Sequence, residues 1–345
     1  MKPMLFKPFF SALTLVIATI FMTSGCSTVK TQPSSGIKQT PVLSKTEFIA
    51  EDGYRLPLTQ FWPDTLPNGI VVALHGFNDY SKAFDGMCQY FVLKKFACIA
   101  YDQRGFGGTE SFGLWPEKGH LQKDLYLIVK QIRQQYPQQP IFLIGESMGG
   151  AVIMTTMADT RFSLAEEIDG TLLYAPAVWA RSTQPWYQEA SLWLAVHTFP
   201  GWKPTAKGLG IQATDNIDAL RKMGRDNKII KATRIDALYG LTNLMDAALL
   251  ASKDVSVRTL VLYGDKDEVV PKKPTCEMLE IMKQVDEDIT FKNYTEGYHM
   301  LSRDLQAEHV FNDSYEWIMK GNDEASSFKS MMLKKDEPVS YCGKS

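Results

Sequence analysis

Short apolar runs suited to strands recur along the chain, and the stretches between several of them carry helical spacing. Phe48-Ile49-Ala50 and Leu56–Trp62 flank Asp52-Gly53 and predict a hairpin. Further runs stand at Ile70–Leu74, Ala97–Tyr101, Ile141–Ile144, Thr171–Tyr174, Thr259–Tyr263 and Ile289–Phe291. From Ile70 onward they are rich in Val, Ile and Leu and almost unbroken in apolarity, as strands buried on both faces of a parallel sheet are. Leu121, Leu125, Ile128 and Ile132 share one helix face within 121–136, and Gly149–Ala158 and Cys276–Val285 predict two more helices. Strands alternating with helices predict an α/β fold, a mostly parallel doubly wound sheet of about eight strands. The alternation breaks from Arg181 to Asp254, a stretch carrying Trp186, Trp193, Trp202, Leu241, Leu244 and Met245. An insertion of that size in a compact domain is rarely loop, so it predicts a mostly helical cap.

The N-terminus is patterned differently. Lys2 and Lys7 lead into Phe9–Met22, 14 residues without a charge. A membrane-spanning helix needs about 20, so the run suits the apolar part of an export signal. Thr23-Ser24-Gly25-Cys26 follows and resembles the lipobox of bacterial lipoproteins, with Thr23 where those usually have Leu. The resemblance implies cleavage before Cys26 and a lipid on that cysteine. With Ser27 rather than Asp next, it implies an outer-membrane anchor facing the periplasm. An uncleaved anchor and a plain secretory signal are the alternatives. Residues 27–44 lack aromatics and are rich in Ser, Thr, Pro and Gln, the composition of a flexible tether. The expected organisation is a signal at 1–25, a tether at 26–44, core at 45–180, cap at 181–254, core again at 255–320 and a loose polar tail at 321–345.

Composition narrows the class. The chain is 45% hydrophobic and 22% charged, as ordinary folded proteins are. Its net charge is −2, and −4 without residues 1–25, which argues against nucleic acid as a partner. Oligomeric state is not legible. Four cysteines remain besides Cys26: Cys88, Cys98, Cys276 and Cys342. An exported chain can oxidise them, with Cys88 and Cys98 one candidate pair; free or buried thiols are the alternative. Gly105-Phe106-Gly107-Gly108 is no dinucleotide fingerprint, because Glu110 stands where that motif needs Gly. No metal-ligand cluster has workable spacing.

The chemistry centres on Gly145-Glu146-Ser147-Met148-Gly149-Gly150, which follows the strand Ile141–Ile144 and opens a helix. G-x-S-x-G in that context is a nucleophile elbow: a sharp turn that pushes the serine hydroxyl out of the sheet. Side chains at 145 and 149 would strike neighbouring backbone. The bland alternative is a Gly-rich turn with a helix-capping serine. A serine hydroxyl needs a base, and the elbow fold orders its triad serine, acid, histidine. Asp265, Asp267 and Glu268 follow the strand Thr259–Tyr263 and compete for the acid. Of the five histidines, His299 and His309 come after them. His299 lies in the loop beyond the strand Ile289–Phe291, where the base belongs, whereas His309 sits in a polar helical stretch, Asp304–Asn312, and reads as surface. An oxyanion hole takes two backbone N–H donors. The residue after the nucleophile, Met148, supplies one; Phe77, in the turn after the strand Ile70–Leu74, is the natural second. Gly76 lets that turn approach closely, and His75 reads as a structural hydrogen-bonding residue.

At these residues the chain resembles α/β-hydrolases of the monoacylglycerol lipase and lysophospholipase-like group. His75-Gly76-Phe77, Asp102-Gln103-Arg104-Gly105-Phe106-Gly107, Gly145–Gly150, Gly264–Pro271 and His299 stand in the group's order across residues 70–300. The group's Gly-x-x-Asp pattern, followed by apolar residues and often proline, selects Asp267 over Asp265 and leaves Glu268 a solvated charge. The resemblance implies acyl transfer from an ester to Ser147 and then to water, with His299 as base, Asp267 orienting it and no cofactor.

 The implied substrate is a lipid-type ester, monoacylglycerol or lysophospholipid-like, and the implied partner is a membrane reached through the lipid on Cys26. The group often has Glu-His after its His-Gly turn; here Asn78-Asp79-Tyr80-Ser81 fills that stretch. Three other readings stay open. A peptidase trimming N-terminal residues would want an acid to hold the free amine, and Glu189 is one in the cap. An acyltransferase would use the same triad. A catalytically silent envelope protein would use the fold for binding. The apolar residues of the cap serve an acyl pocket or the cap's own small core equally well.

Overall fold

In the computed structural model the described residues are 29–30, 32, 36, 38–205, 208, 210–285, 288–320 and 341–343. The expected signal and Cys26 lie outside them. The predicted hairpin is present: β1 (Val42–Leu43), β2 (Glu47–Ile49) and β3 (Arg55–Phe61) run antiparallel at one edge of the sheet. The remaining strands are β4 (Ile70–Leu74), β5 (Ala97–Tyr101), β6 (Ile141–Glu146), β7 (Gly170–Tyr174), β8 (Thr259–Gly264) and β9 (Ile289–Tyr294). The order across the sheet is β1-β2-β3-β5-β4-β6-β7-β8-β9. From β5 to β9 every neighbouring pair is parallel, and β3 joins β5 antiparallel with Leu58 opposite Tyr101.

Side-chain alternation sends one strand into two cores. Ile70, Val72 and Leu74 face a layer built from α2 (His120–Gln135), α3 (Met148–Met157), α7 (Ile235–Ala251) and α8 (Lys272–Val285). Val71 and Ala73 face the opposite layer, built from α1 (Asp85–Leu93) and α9 (Ala307–Lys320). A short α4 (Leu164–Glu167) precedes β7. The central strands are buried on both faces, which is why their sequences lack polar alternation. Each fully buried Leu or Ile contributes about 1.5–3 kcal/mol, so the strands hold the fold and the loops at their C-terminal ends are left to carry chemistry.

The break in alternation is helical: α5 (Trp186–Thr198), α6 (Ile217–Arg225) and α7 occupy it. The second half of α7 enters the core through Leu244, Met245, Ala248 and Leu249 and so anchors the insertion. Trp186, Trp193 and Trp202 face outward, at 79%, 55% and 61% exposure.

Two expected boundaries are corrected. Val42–Leu43, assigned to the tether, pairs with β2, and Gln32 is buried with its Nε2 donating to the Leu114 carbonyl at 2.9 Å. The tail is not loose at its end, because Cys342 is disulfide-bonded to Cys276 of α8. There Tyr341 packs against Phe291, and its hydroxyl donates to Asp265 at 2.6 Å. Cys88 and Cys98 are also joined, tying α1 to β5. The Cys276–Cys342 link closes a loop with a sequence separation of 66. The double variant Cys276→Ser/Cys342→Ser is expected to lose roughly 2–4 kcal/mol of stability. Urea unfolding of oxidised wild type against the variant measures it; equal midpoints would show the link to be thermodynamically idle.

Candidate active site

Ser147 stands between the end of β6 and the start of α3, at φ 53° and ψ −114°. Its N–H donates to the Tyr174 carbonyl at 2.9 Å, and its carbonyl accepts from Ala177 at 2.9 Å and Ala151 at 3.2 Å. The flanking glycines are steric necessities. A Cβ on Gly145 would sit 2.5 Å from the Gly150 nitrogen, and one on Gly149 would strike the Leu74 carbonyl. A Cβ on Gly76 would lie 3.4 Å from that of Ser147, so the turn after β4 lies directly against the serine. This is the switch point of the sheet, where the chain leaves β4 to one side for β5 and later returns on the other side as β6. Phe77 in that turn and Met148 at the first turn of α3 therefore flank Ser147, where backbone donors to an oxyanion have to be.

Of the competing carboxylates, Asp267 meets the histidine. His299 Nδ1 lies 2.8 Å from Asp267 Oδ2, while Asp267 Oδ1 accepts from the N–H groups of Val269 at 2.7 Å and Val270 at 2.9 Å. Asp265 points elsewhere, bonded by Tyr341 and by Asn293 Nδ2 at 3.1 Å. Glu268 is exposed, as expected of a solvated charge, yet accepts from the Gln212 N–H at 2.8 Å. His309 is exposed. His75 is buried; its Nδ1 bonds the Gly76 carbonyl at 2.8 Å and its Nε2 accepts from the Gln103 N–H at 2.9 Å. Burial pushes its pKa down, so it is a neutral pin between two turns. In the Asp102–Gly107 turn, Asp102 accepts from Ser81 and Gly108, and Arg104 pairs with Asp124 and Asp52.

Burial pushes the His299 pKa down, but the charge and hydrogen bond of Asp267 outweigh it and hold the imidazole above its ordinary 6.5. Glu146 adds to the rise and Arg303 opposes it. Those two residues belong to a cluster that motif reading passed over. Arg303 pairs with Asp79 at 2.5 Å and with Glu146 at 2.8 Å. One signal for it was in the sequence: Glu146 ends an otherwise apolar strand, and a charge buried there requires a partner. Next to it, burial pushes Asp304 up to about 6, while its bond from the Tyr298 N–H at 2.7 Å pulls the other way.

The cap reaches both loops of the Asp–His pair. Besides Gln212 on Glu268, the Ala213 carbonyl accepts from the Met300 N–H and Asp215 accepts from the Leu305 N–H, each at 2.8 Å. Ser147 and His299 both line a cavity of about 620 Å³ between cap and core. Its walls include Trp179, Leu192, Ile211, Leu238, Leu241 and Met245. Of the apolar cap residues that left pocket and cap core open, Leu241 and Met245 line the pocket, whereas the three cap tryptophans do not. Glu189 is exposed and outside the lining. Among the described residues, no group of His, Cys, Asp and Glu could hold a metal ion.

A family model described as serine aminopeptidase, S33, matches residues 65–306. The chain belongs to this hydrolase family. It is similar to the monoacylglycerol lipase of Mycolicibacterium smegmatis, 26% identical over 80% of this chain and 97% of that one. It is also similar to the human monoglyceride lipase, 23% identical over 81% and 91%. Among solved structures, a soluble variant of the Saccharomyces cerevisiae monoglyceride lipase superposes with a TM-score of 0.66 at 20% identity, covering 84% of this chain and 99% of that one. The monoacylglycerol lipase of Paleococcus ferrophilus gives 0.61 at 20% identity, covering 77% and 99%. The fold is the α/β-hydrolase fold.

Two predictions follow from the geometry of this hydrolase. Asp267→Asn is expected to lower kcat by about 10³–10⁴-fold and, by removing the charge that raises His299, to move the acid limb of the kcat/KM profile to lower pH. Asp265→Asn is expected to change neither by as much. A pH-rate series on both variants decides, and the reverse ranking would assign the acid to Asp265. For Asp304, the folded pKa of about 6 lies above its ordinary 3.8. As pH rises through that interval the folded protein keeps a proton that the unfolded chain has released, so stability falls. Asp304→Asn escapes this loss. Its thermal midpoint is expected to match wild type near about pH 4 and to gain on it near about pH 8; a constant difference across pH would refute the assignment.

Proposed function

We propose that the protein cleaves the carboxylic ester of a lipid-type substrate, monoacylglycerol- or lysophospholipid-like, through an acyl-enzyme at Ser147. That it is a carboxylic ester hydrolase rests on its family and on its lipase relatives. The observation that carries the finer reading is the shared cavity: Ser147 and the Asp267-paired His299 open into one mainly apolar space of about 620 Å³. That volume is within the range of pockets that enclose small ligands, and its Leu, Ile and Met walls suit an acyl chain.

In this reading Asp267 keeps the His299 proton on Nδ1, which leaves Nε2 free to take the proton of Ser147 Oγ. Oγ attacks the ester carbonyl, and the N–H groups of Phe77 and Met148 receive the oxyanion; each such donor is worth about 3–4 kcal/mol of the barrier. Collapse breaks the ester bond, and the alcohol leaves with the proton from His299. Water then repeats the sequence on the acyl-enzyme and releases the acid.

The peptidase alternative finds little support. Glu189 lies off the cavity, and the acids that do line it, Asp79 and Glu146, are already engaged by Arg303. The proposal extends to the cell envelope, with a lipid on Cys26 holding the domain at a membrane. Two disulfides suit an oxidising compartment. Trp186, Tyr187, Trp193 and Leu194 are exposed on α5, the helix whose Leu192 lines the pocket, and such a patch suits an apolar surface.

A soluble chain beginning near Gln32, assayed on p-nitrophenyl esters of graded length, tests the substrate class. kcat/KM is expected to rise with acyl length and to vanish in Ser147→Ala while the thermal midpoint holds. Turnover retained by Ser147→Ala would sink the mechanism; a preference for the shortest esters would sink the lipid reading.

A further inference from the structure

The catalytic loops come from three distant parts of the chain, and one side chain touches all three. Arg303 lies four residues after His299, on the same loop. Its Nη1 is 2.5 Å from Oδ2 of Asp79, in the turn that carries Phe77. Its Nη2 is 2.8 Å from Oε1 of Glu146, the residue before Ser147. Asp79 and Glu146 are 4% and 1% exposed, so neither carboxylate has bulk water as an alternative partner. Each is held from behind as well. Asp79 Oδ1 accepts from the Tyr80 N–H at 2.9 Å, and Glu146 Oε2 accepts from the Ser302 hydroxyl at 2.5 Å. The guanidinium also lines the cavity and meets Met223 of α6 at 3.5 Å.

We propose that Arg303 is a positioning residue for ester cleavage: bridging Asp79 and Glu146, its guanidinium sets the oxyanion turn, the nucleophile and the histidine loop at their working separations. The proposal rests on the assignment of Ser147 and His299 above. A planar fork suits the task, because two nitrogens reach two carboxylates at once, whereas an ammonium is a single point charge. The bond to Glu146 is a charge-assisted hydrogen bond, directional as well as strong, and the contact with Asp79 is a close ion pair; both are desolvated. Alignment errors of about 1 Å at a reacting centre cost about 100-fold in rate, so a clamp of this kind acts on kcat through alignment. It acts on the base as well. The charged groups bearing on His299 are Asp267 and Glu146, which favour the imidazolium, and Arg303, which opposes it.

The test compares wild type, Arg303→Lys, Arg303→Met and the triple variant Asp79→Asn/Glu146→Gln/Arg303→Met. The triple variant leaves no buried charge unpaired, which keeps the proposal testable if Arg303→Met alone fails to fold. Two rates are read at equal folded concentration: kcat and KM on p-nitrophenyl esters, and labelling of Ser147 by a fluorophosphonate. The clamp predicts that Arg303→Met and the triple variant lose about 10- to 100-fold in kcat and in labelling, with KM within about twofold. In Arg303→Met the acid limb also moves to higher pH, because a cation opposing the imidazolium is gone. Arg303→Lys keeps that charge, so its limb stays in place while it recovers only part of the rate. Variants that lose thermal stability but keep wild-type kcat, labelling rate and acid limb would reduce Arg303 to a structural ion pair and overturn the proposal. A wild type in which the fluorophosphonate does not label Ser147 would overturn the site assignment itself, and the clamp with it; labelled wild type with equally labelled variants would overturn the clamp alone.

Discussion

Ser147 is held at φ 53°, a conformation that costs an L-residue about 1–3 kcal/mol, and the crest of the sheet is organised around that strain. Asn78 and Ala175 share the left-handed region, at 66° and 42°. All three follow the C-terminal ends of neighbouring strands β4, β6 and β7. Strain so concentrated persists only where surrounding packing over-determines it. The Tyr174 and Ala177 bonds grip the Ser147 backbone from the end of β7 and the loop after it, and the Leu74 carbonyl closes on Gly149 from β4. The serine is displayed because the two strands beside it leave its backbone no other course. The glycines are a consequence of that crowding.

The second constraint is electrostatic. The histidine of this site is buried, and burial alone would favour a neutral imidazole that takes a proton less readily. Asp267 reverses the balance, and it can do so because its own charge is held by two backbone N–H groups on its far oxygen. Its second oxygen is thereby aimed at His299. The cluster of Asp79, Glu146 and Arg303 follows the same logic at one remove: charges placed in a dry region are tolerated because each has a partner with fixed geometry. Asp304, beside them, is pushed up because burial outweighs the bond that the Tyr298 N–H gives to one of its oxygens, while the other has no hydrogen-bond partner among the described residues.

What the chain revealed before folding divides along physical lines. The sheet was legible because strands buried on both faces have no freedom to be polar, and each predicted run from Ile70 to Phe291 lies in a strand. Ser147 and His299 were legible because the elbow demands glycine at fixed spacing and because topology orders the triad. Choosing Asp267 over Asp265 took the resemblance; the structure brings Asp267 to the histidine and turns Asp265 to Tyr341. Arg303 was not legible as part of the site. Its partners lie 224 and 157 residues away in sequence, and no local spacing encodes such a contact. The outward tryptophans of the cap were equally hidden, since composition cannot tell which face of a helix meets the pocket.

The cap adds a constraint of its own. Gln212, Ala213 and Asp215 hold Glu268, Met300 and Leu305, so one short cap segment grips the acid loop on one side and the histidine loop on the other. Nearby, Ile211 and Ala213 line the cavity, as do Val269, Val270 and Met300 of the loops they hold. A substrate that presses on the cap wall therefore presses on the elements that align the Asp267–His299 pair. Rigid strands cannot supply such a link, because their backbone groups are consumed in the ladder; it has to be made by irregular backbone whose N–H and carbonyl groups remain to be satisfied. The cavity wall and the alignment of the Asp267–His299 pair thus draw on the same few hydrogen bonds, and a change in the cap that leaves every pocket contact intact can still shift that pair.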